Sequence, residues 1–584
     1  MKEKVMQGKP YAGNPHVRFD EGDAASCTAA IETEGRNSPS IAQGLPKLRR
    51  VHCRRQPEGR ASVCAATPRR GSLHCGISRR FFIGGAVAFG AFGGNRVVRA
   101  AGNALAGSPN VTFGVVSDIH ITKVGEGEKM EAWGNNLTFR HTLEWFRDQG
   151  VDAVLIAGDM ADHGMVGQME AVAQAWYAVF PGDRYPDGRP VEKVFVMGNH
   201  DYHGYLYGNH AAKRYPDMAE RAKHVLRSDF AARWKRIFHE DYARFYRKTI
   251  KGYTFLGQHW DDGKGMETGL GSCDFGAELQ AFLDAQGKTL DPALPFFYVQ
   301  HPHPKDTCYG PWAWGHDKGK VTKALSAYPN AVAFSGHSHY SLTDERSIWQ
   351  GAFTSVGTGS LRFTGMEYDE HPPVGYENTV SGVRDGWRID AAKMMGKFPV
   401  GDCRQGMLWR VYDNCIVVKR REFLSDLDVG DDWVIPLPSA ESKPFAFAEH
   451  AKKLRAPEFP ADAKVVVKRG TFKTRGGKSR NGKESIAPIE KNALTVIVPP
   501  VVADKGARLF KVEFAAETKD GAKKAKLVVP PGFNHALAHP NAKVSPRCRF
   551  ALDELGAGDV RFTVTPINCF GARGKPLVSA WNMI

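Results

Sequence analysis

Five short segments between residues 118 and 339 are made of groups that bind metal ions, and each begins where an apolar run ends. They are Asp118-Ile119-His120 after VTFGVVS, Gly158-Asp159 after VDAVLIA, Gly198-Asn199-His200-Asp201 after VEKVFVM, His301 after PFFYVQ, and Gly336-His337-Ser338-His339 after NAVAFS. Asp118, His120, Asp159, Asn199, His301, His337 and His339 offer two Asp, one Asn and four His as ligands, with His200 left over. Imidazole and carboxylate suit Fe, Mn, Zn or Ni, and none of the five segments contains Cys. A carboxylate holding two such ions about 3.5–4 Å apart suits in-line attack at phosphorus. The segments therefore read as one dinuclear site.

Something must bring these distant segments together. Runs of β-branched and aromatic residues without strict alternation predict strands buried on both faces, and ligands gather at the carboxyl ends of such strands in α/β sheets. LTFRHTLEWFRDQG and QMEAVAQAWYAVF read as helices between strands, giving a β-α-β alternation. An insertion over residues 205–250 follows the GNHD segment. Its AERAKHVLRSDFAARWKRIFHEDYARFYRK stretch reads as strongly helical and placed to cover the site. CYGPWAWGHDKGK, with Tyr309, Trp312, Trp314 and His316, is expected as a loop at the mouth. Its aromatics either stack on a leaving group or pack against the insertion.

FTSVGTGSL and GMLWRVYDNCIVVKRREF complete the strands of a two-sheet α/β sandwich, with DDWVIPLP at its edge. This domain is expected over residues 107–435. Pro436, Pro438, Pro444, Pro457 and Pro460 mark a linker over 436–462. Beyond it, period-two segments such as LTVIV, LFKVEF and VRFTV predict an all-β sandwich over 463–584.

In order and in type, the five segments resemble the calcineurin-like metallophosphoesterase signature D-x-H, GD, GNH-[D/E], H, GHxH, over roughly residues 111–425. The resemblance implies that Asp118, His120, Asp159 and His339 hold one ion, and that Asp159, Asn199, His301 and His337 hold the other. It implies a hydroxide between the ions as nucleophile, and makes His200 the group that faces the phosphate, with Asp162 as its orienting carboxylate. Asp201 is expected to fix the loop or a neighbouring ligand, and His163, His203 and His303 are candidates to line the pocket. His163 stands where protein phosphatases of the family carry a phosphate-binding Arg, and Asp162 where purple acid phosphatases carry a ligating Tyr. Those two subfamilies are disfavoured. GDMADHG and Gln300-His301-Pro302-His303-Pro304 look more like bacterial phosphodiesterases and broad phosphomonoesterases. The expected substrate is a small-molecule or glycan-linked phosphate ester. The competing reading is a non-catalytic scaffold that uses the same fold and the β-sandwich as docking surfaces.

Ser78-Arg79-Arg80-Phe81-Phe82-Ile83-Gly84, a short apolar Gly- and Ala-rich stretch and Ala104-Leu105-Ala106 resemble a twin-arginine export signal with its cleavage site. The implied partner is the twin-arginine machinery and the implied location is periplasmic or extracellular. Residues 1–106 are then a removed leader, with an upstream-assigned start codon preferred over an odd extension. The apolar stretch is too short to span a bilayer and no lipobox Cys is present, so no stable membrane anchor is expected. Of the 79 Lys and Arg, 17 lie in residues 1–106, against 7 of the 63 Asp and Glu. The remainder carries 62 against 56, a formal +6 rather than +16, which removes the main argument for nucleic-acid binding. Four of the ten Cys also fall in the leader, and the six that remain permit disulfides without pointing to any pairing. VRFTVTPINCFGARGKPL is similar to the last strands of a fibronectin type III module.

Overall fold

The computed structural model describes residues 107–121, 135–262, 275–308, 316–362, 404–423, 426–473, 485–501, 510–528 and 545–584, together with Met266, Trp314, 376–377 and 477–478. The leader, its export motif, Cys273, Cys403, Tyr309 and Trp312 lie outside the described residues.

The ligand-bearing segments lie on strands β1 (Val111–Val116), β2 (Ala153–Ala157), β3 (Glu192–Val196), β4 (Phe245–Ile250), β5 (Tyr253–Gln258), β6 (Phe296–Val299), β7 (Ala331–Ser335), β8 (Ile348–Gln350), β9 (Thr354–Gly357), β10 (Gln405–Val411), β11 (Cys415–Glu422) and β12 (Trp433–Pro436), or on loops between them. One sheet runs β11-β10-β1-β2-β3, with β12 against β11; the other runs β4-β5-β6-β7-β9-β8. The strands that end in ligands, β1, β2, β3, β6 and β7, have parallel neighbours. Parallel pairing sends their carboxyl ends to one edge.

The sheets pack face to face on side chains that alternate along each strand. Val111, Phe113 and Val115 of β1 meet Phe255, Phe297 and Phe334 of the second sheet. Phe113 sits at the centre, edge-on to those three rings and stacked on Trp409 at 5.9 Å. The outer faces are covered by helices α1 (Asn135–Asp148) and α2 (Val166–Val179) on the first sheet, and by α3 (Phe275–Gly287) and α4 (Lys320–Leu325) on the second. This four-layer arrangement is the expected two-sheet α/β sandwich. No helix among the described residues is long and apolar enough to cross a membrane.

One element differs from expectation. The predicted helix ending in ARFYRK stops at Phe238, after segments Met218–His224 and Phe230–Phe238, and its last residues form β4. FYRKTI pairs antiparallel with β5, so a sheet edge overrides the helical propensity of its Arg and Lys.

Helix α5 (Phe447–Lys453) leads to a second β region with strands β13 (Val466–Lys473), β14 (Glu490–Ile497), β15 (Phe510–Thr518), β16 (Lys523–Val528), β17 (Arg547–Ala551) and β18 (Asp559–Asn568). Sheets β13-β14-β17 and β16-β15-β18 are antiparallel. They enclose Leu494, Val496, Val512, Phe514, Phe550, Val560, Phe562 and Val564, a β-sandwich core. Among the described residues Cys308, Cys415, Cys548 and Cys569 are free, buried thiols.

Candidate metal centre

Backbone strain marks the site before any side chain is considered. Asp118, His120, Asp159, His337 and His339 all have positive φ, between 49° and 68°. Each such non-glycine residue costs about 1–3 kcal/mol and persists only where the surroundings over-determine it. Here the surroundings are strands with fully buried cores on both faces. Close packing adds a second constraint. A Cβ at Gly158 would strike the His301 ring, and one at Gly198 the Asp159 carboxylate. The motif glycines let one motif's ligand pass against the next.

The seven predicted ligands form two groups that meet at Asp159. In the first, His120 Nε2 and His339 Nε2 lie 3.1 Å apart, and His339 Nε2 is 3.2 Å from Asp118 Oδ1. In the second, His301 Nε2 is 3.0 Å from Asn199 Oδ1, 3.1 Å from Asp159 Oδ2 and 3.2 Å from His337 Nδ1. Asp159 Oδ2 also lies 3.6 Å from His120 Nε2, within reach of the first group. Sets of one carboxylate and two His able to hold an ion occur in both groups, Asp118 with His120 and His339, and Asp159 with His301 and His337.

The protons on the far side of these rings are fixed. His301 Nδ1 donates to the Ala157 carbonyl at 2.7 Å, and His120 Nδ1 donates to Asp162 Oδ1 at 2.9 Å. Each ring therefore turns its Nε2 lone pair inward, the tautomer a metal requires. Imidazole and carboxylate donors converging at about 3 Å need protons or a cation between them, and a donor set of this composition fits divalent metal.

The electrostatics agree. Burial lowers the pKa of His120, but hydrogen bonds to Asp118 and Asp162 outweigh it and push the ring up to about 9. His301 is likewise raised to about 9, against burial, by the charge of Asp159. Burial opposes ionisation of Asp118, yet the charge of His339 and bonds from His120 and His339 hold it well below the usual carboxylate range. The carboxylates draw protons onto the imidazoles, as they would draw a metal ion.

His200 stands beside the first group, with its ring centroid 4.4 Å from that of His120. Its backbone N–H donates to Asp159 Oδ1 at 2.8 Å. Its Nδ1 donates to the Asp162 carbonyl oxygen at 2.7 Å and lies 3.5 Å from the Asp162 carboxylate, so Asp162 fixes both His120 and His200. Asp201 accepts from the N–H groups of Ala161, Gly198 and Met160 and ties the Asp159 and Asn199 loops together.

Of the three pocket candidates, His163 is at the site, 3.3 Å from Asp162 Oδ2 and stacked on His210 at 3.8 Å. His203 is buried against Tyr202 and Trp260. His303 lies beneath the GHSH loop, bound to Ser335 Oγ and Ser338 Oγ. His316 does reach the centre, 5.1 Å from the His337 ring. Trp314 donates to the Cys308 carbonyl, a loop contact.

Supporting residues escaped the sequence reading, Tyr207 and Arg362 among them. Tyr207, from the insertion, has its hydroxyl 3.0 Å from Asn199 Nδ2 and its ring 4.8 Å from His200, so the insertion does border the site. Arg362, five residues past β9, pairs with the Asp162 carboxylate. It follows a strand end as the ligands do, a signal hidden because Arg does not bind metal.

An α/β sandwich with two convergent donor groups at one sheet edge defines a metal-dependent class of domain. Residues 111–341 match the profile of the calcineurin-like phosphoesterase family, so the chain carries a calcineurin-like metallophosphoesterase domain. No protein of curated function matches the chain in sequence. Similar solved structures include a dimetal phosphatase from Danio rerio, at 14% identity over 56% of this chain and 99% of that one, TM-score 0.33. A purple acid phosphatase from yellow lupin seeds is 12% identical over 57% of this chain and 56% of that one, TM-score 0.34.

Proposed function

We propose that the chain is a dinuclear metal-dependent phosphoester hydrolase acting on a phosphodiester or phosphomonoester whose alcohol is a small molecule or glycan. One observation carries this reading: two donor groups share Asp159, with His200 held beside them by Asp162. Asp118, His120 and His339 would hold one ion, Asn199, His301 and His337 the other, and Asp159 would be shared. Such an ion pair supplies charge against the phosphoryl oxygens and a hydroxide nucleophile near neutral pH.

The protein's own groups do the rest. His200 has its Nδ1–H committed to Asp162, which leaves Nε2 as the atom that meets a phosphoryl or leaving-group oxygen. Asp159 accepts the His200 backbone N–H, so the shared carboxylate also sets the position of this ring. Asp162 keeps its charge because hydrogen bonds from His120 and His200 and the Arg362 cation outweigh burial.

We further propose export, supported by the Ser78–Gly84 motif and the Ala104-Leu105-Ala106 site in the sequence. The test of activity is hydrolysis of bis-p-nitrophenyl phosphate and p-nitrophenyl phosphate by the chain from Gly107, with Mn, Fe, Zn or chelator, and His200→Ala as control. Chelator-sensitive turnover above that control is expected. A diester preference makes it a phosphodiesterase and a monoester preference a phosphatase. Metal-independent release at the control rate would overturn the reading.

A further inference from the structure

The loop that follows the GHSH ligands is built against the ordinary rule for loops. All of Tyr340 to Ser347 is buried, although Ser341, Thr343, Asp344, Glu345, Arg346 and Ser347 are polar or charged. Loops normally lie on the surface because their polar groups need water. This one instead has fixed protein partners. Gln405 Oε1 accepts from Leu342 N at 2.7 Å, and Arg420 Nη1 donates to the Leu342 carbonyl at 2.7 Å.

Its hub is Glu345, six residues past His339. The carboxylate accepts from Arg420 at 3.0 Å and Trp433 Nε1 at 2.8 Å, and lies 3.3 Å from His450 Nε2. His450 is on α5, outside the two sheets. The β-sandwich reaches that ring as well. Phe570, just after β18, lies 5.3 Å from His450 and 5.5 Å from Phe447, while Asn568 Nδ2 donates to the Arg455 carbonyl at 3.3 Å. Cys569, between Asn568 and Phe570, is buried.

We propose that the C-terminal sandwich braces the metal centre: its Asn568–Phe570 turn seals the Glu345 hub and so fixes the loop bearing His337 and His339. This inference rests on the reading of those two His as metal ligands. One belongs to each donor group, so a single brace acts on both ions. Without the turn, Gln405, Arg420 and Trp433 still hold the loop, but water reaches the His450 side of Glu345 and weakens that hub, and both rings lose part of their fixed approach.

The test is metal retention in the full chain carrying Phe570→Ala, measured by chelator competition with Zn or Mn, alongside amide hydrogen exchange over residues 336–347. Phe570 acts through His450 and Glu345 rather than on a ligand, so retention is expected to fall for both ions by less than the roughly 10- to 100-fold of a direct outer-shell partner. Exchange in the loop should quicken, and turnover at saturating metal should remain. Asn568→Ala removes the side chain that accepts from the Phe570 and Ala572 N–H groups and donates to Arg455, so it loosens the same turn by another route; it should shift retention and exchange in the same direction and covers the case in which Phe570→Ala does not fold. Unchanged retention and exchange in the variants would overturn the brace alone. A wild-type chain that binds neither metal would overturn it together with the reading beneath it.

Discussion

The two donor groups look alike as ligand sets but are supported in opposite ways. Around Asp118, His120 and His339 the outer contacts are charged: Asp162 binds His120 and pairs with Arg362. Around Asn199, His301 and His337 they are neutral: the Ala157 carbonyl, the Tyr207 hydroxyl, and the Trp260 ring 5.9 Å from both His301 and His337. An ion in the first group faces Asp118 and Asp159 directly, with Asp162 behind His120. An ion in the second faces Asp159 alone. Carboxylates behind a ligating imidazole raise its basicity, so the first position should hold the more highly charged ion and release it later.

The most severe way to break this asymmetry is to remove what the halves share. Asp159→Asn takes the charge from both positions and leaves the second without any carboxylate. Activity is expected to fall by at least about 10³-fold, at or beyond the loss of one electrostatic stabiliser in a transition state. Metal analysis should show the second ion lost before the first. Unchanged binding of a macromolecular partner with no change in turnover would instead favour the scaffold reading.

Proton release sharpens the comparison. In the metal-free chain His120 and His301 are each raised to about 9, one in each group, while burial lowers His337 and His339. Below pH 9 the first two are protonated, and a metal must displace those protons to reach Nε2. Affinity should therefore rise with pH between 7 and 9, by about tenfold per unit for each ion, and level off above 9. Calorimetry in buffers of different ionisation enthalpy reads the protons directly: about one per ion from the rings at pH 7.5, besides the proton of the water that ionises between the ions. Two from one group and none from the other would refute the symmetric assignment of protonated rings.

Much of the candidate centre was readable because its candidate ligands sit at strand ends, where an apolar run fixes the element and the next residue its chemical type. Asp118 after β1 and His301 after β6 needed nothing more. Supports that come from elsewhere were not readable. Arg362 reaches Asp162 across 200 residues, and Tyr207 arrives from an insertion whose helical pattern gives no hint of the side chain turned inward. The same limit explains β4. FYRKTI has an ambiguous local preference, and only the β5 edge decides it. The buried loop after His339 was invisible for a related reason: its Ser, Asp, Glu and Arg look like a solvated turn until the β-sandwich is placed over their neighbours.

Those unreadable supports give the finest test, one substitution on each side. Asp162→Asn keeps the shape of the carboxylate but removes the charge behind His120, which should weaken the first ion by about 10- to 100-fold and leave the second nearly unchanged. It also loosens His200, so turnover at saturating metal should drop as well. Tyr207→Phe removes one neutral hydrogen bond, to Asn199, worth about 1 kcal/mol, or roughly fivefold in affinity for the second ion alone. Measured by competition for each ion in turn, the two effects should fall on different ions and differ in size. If Tyr207→Phe costs as much as Asp162→Asn, or both weaken the same ion, then charge behind the ligand is not what separates the halves. Coupling through Asp159, which touches both, would then be the stronger account.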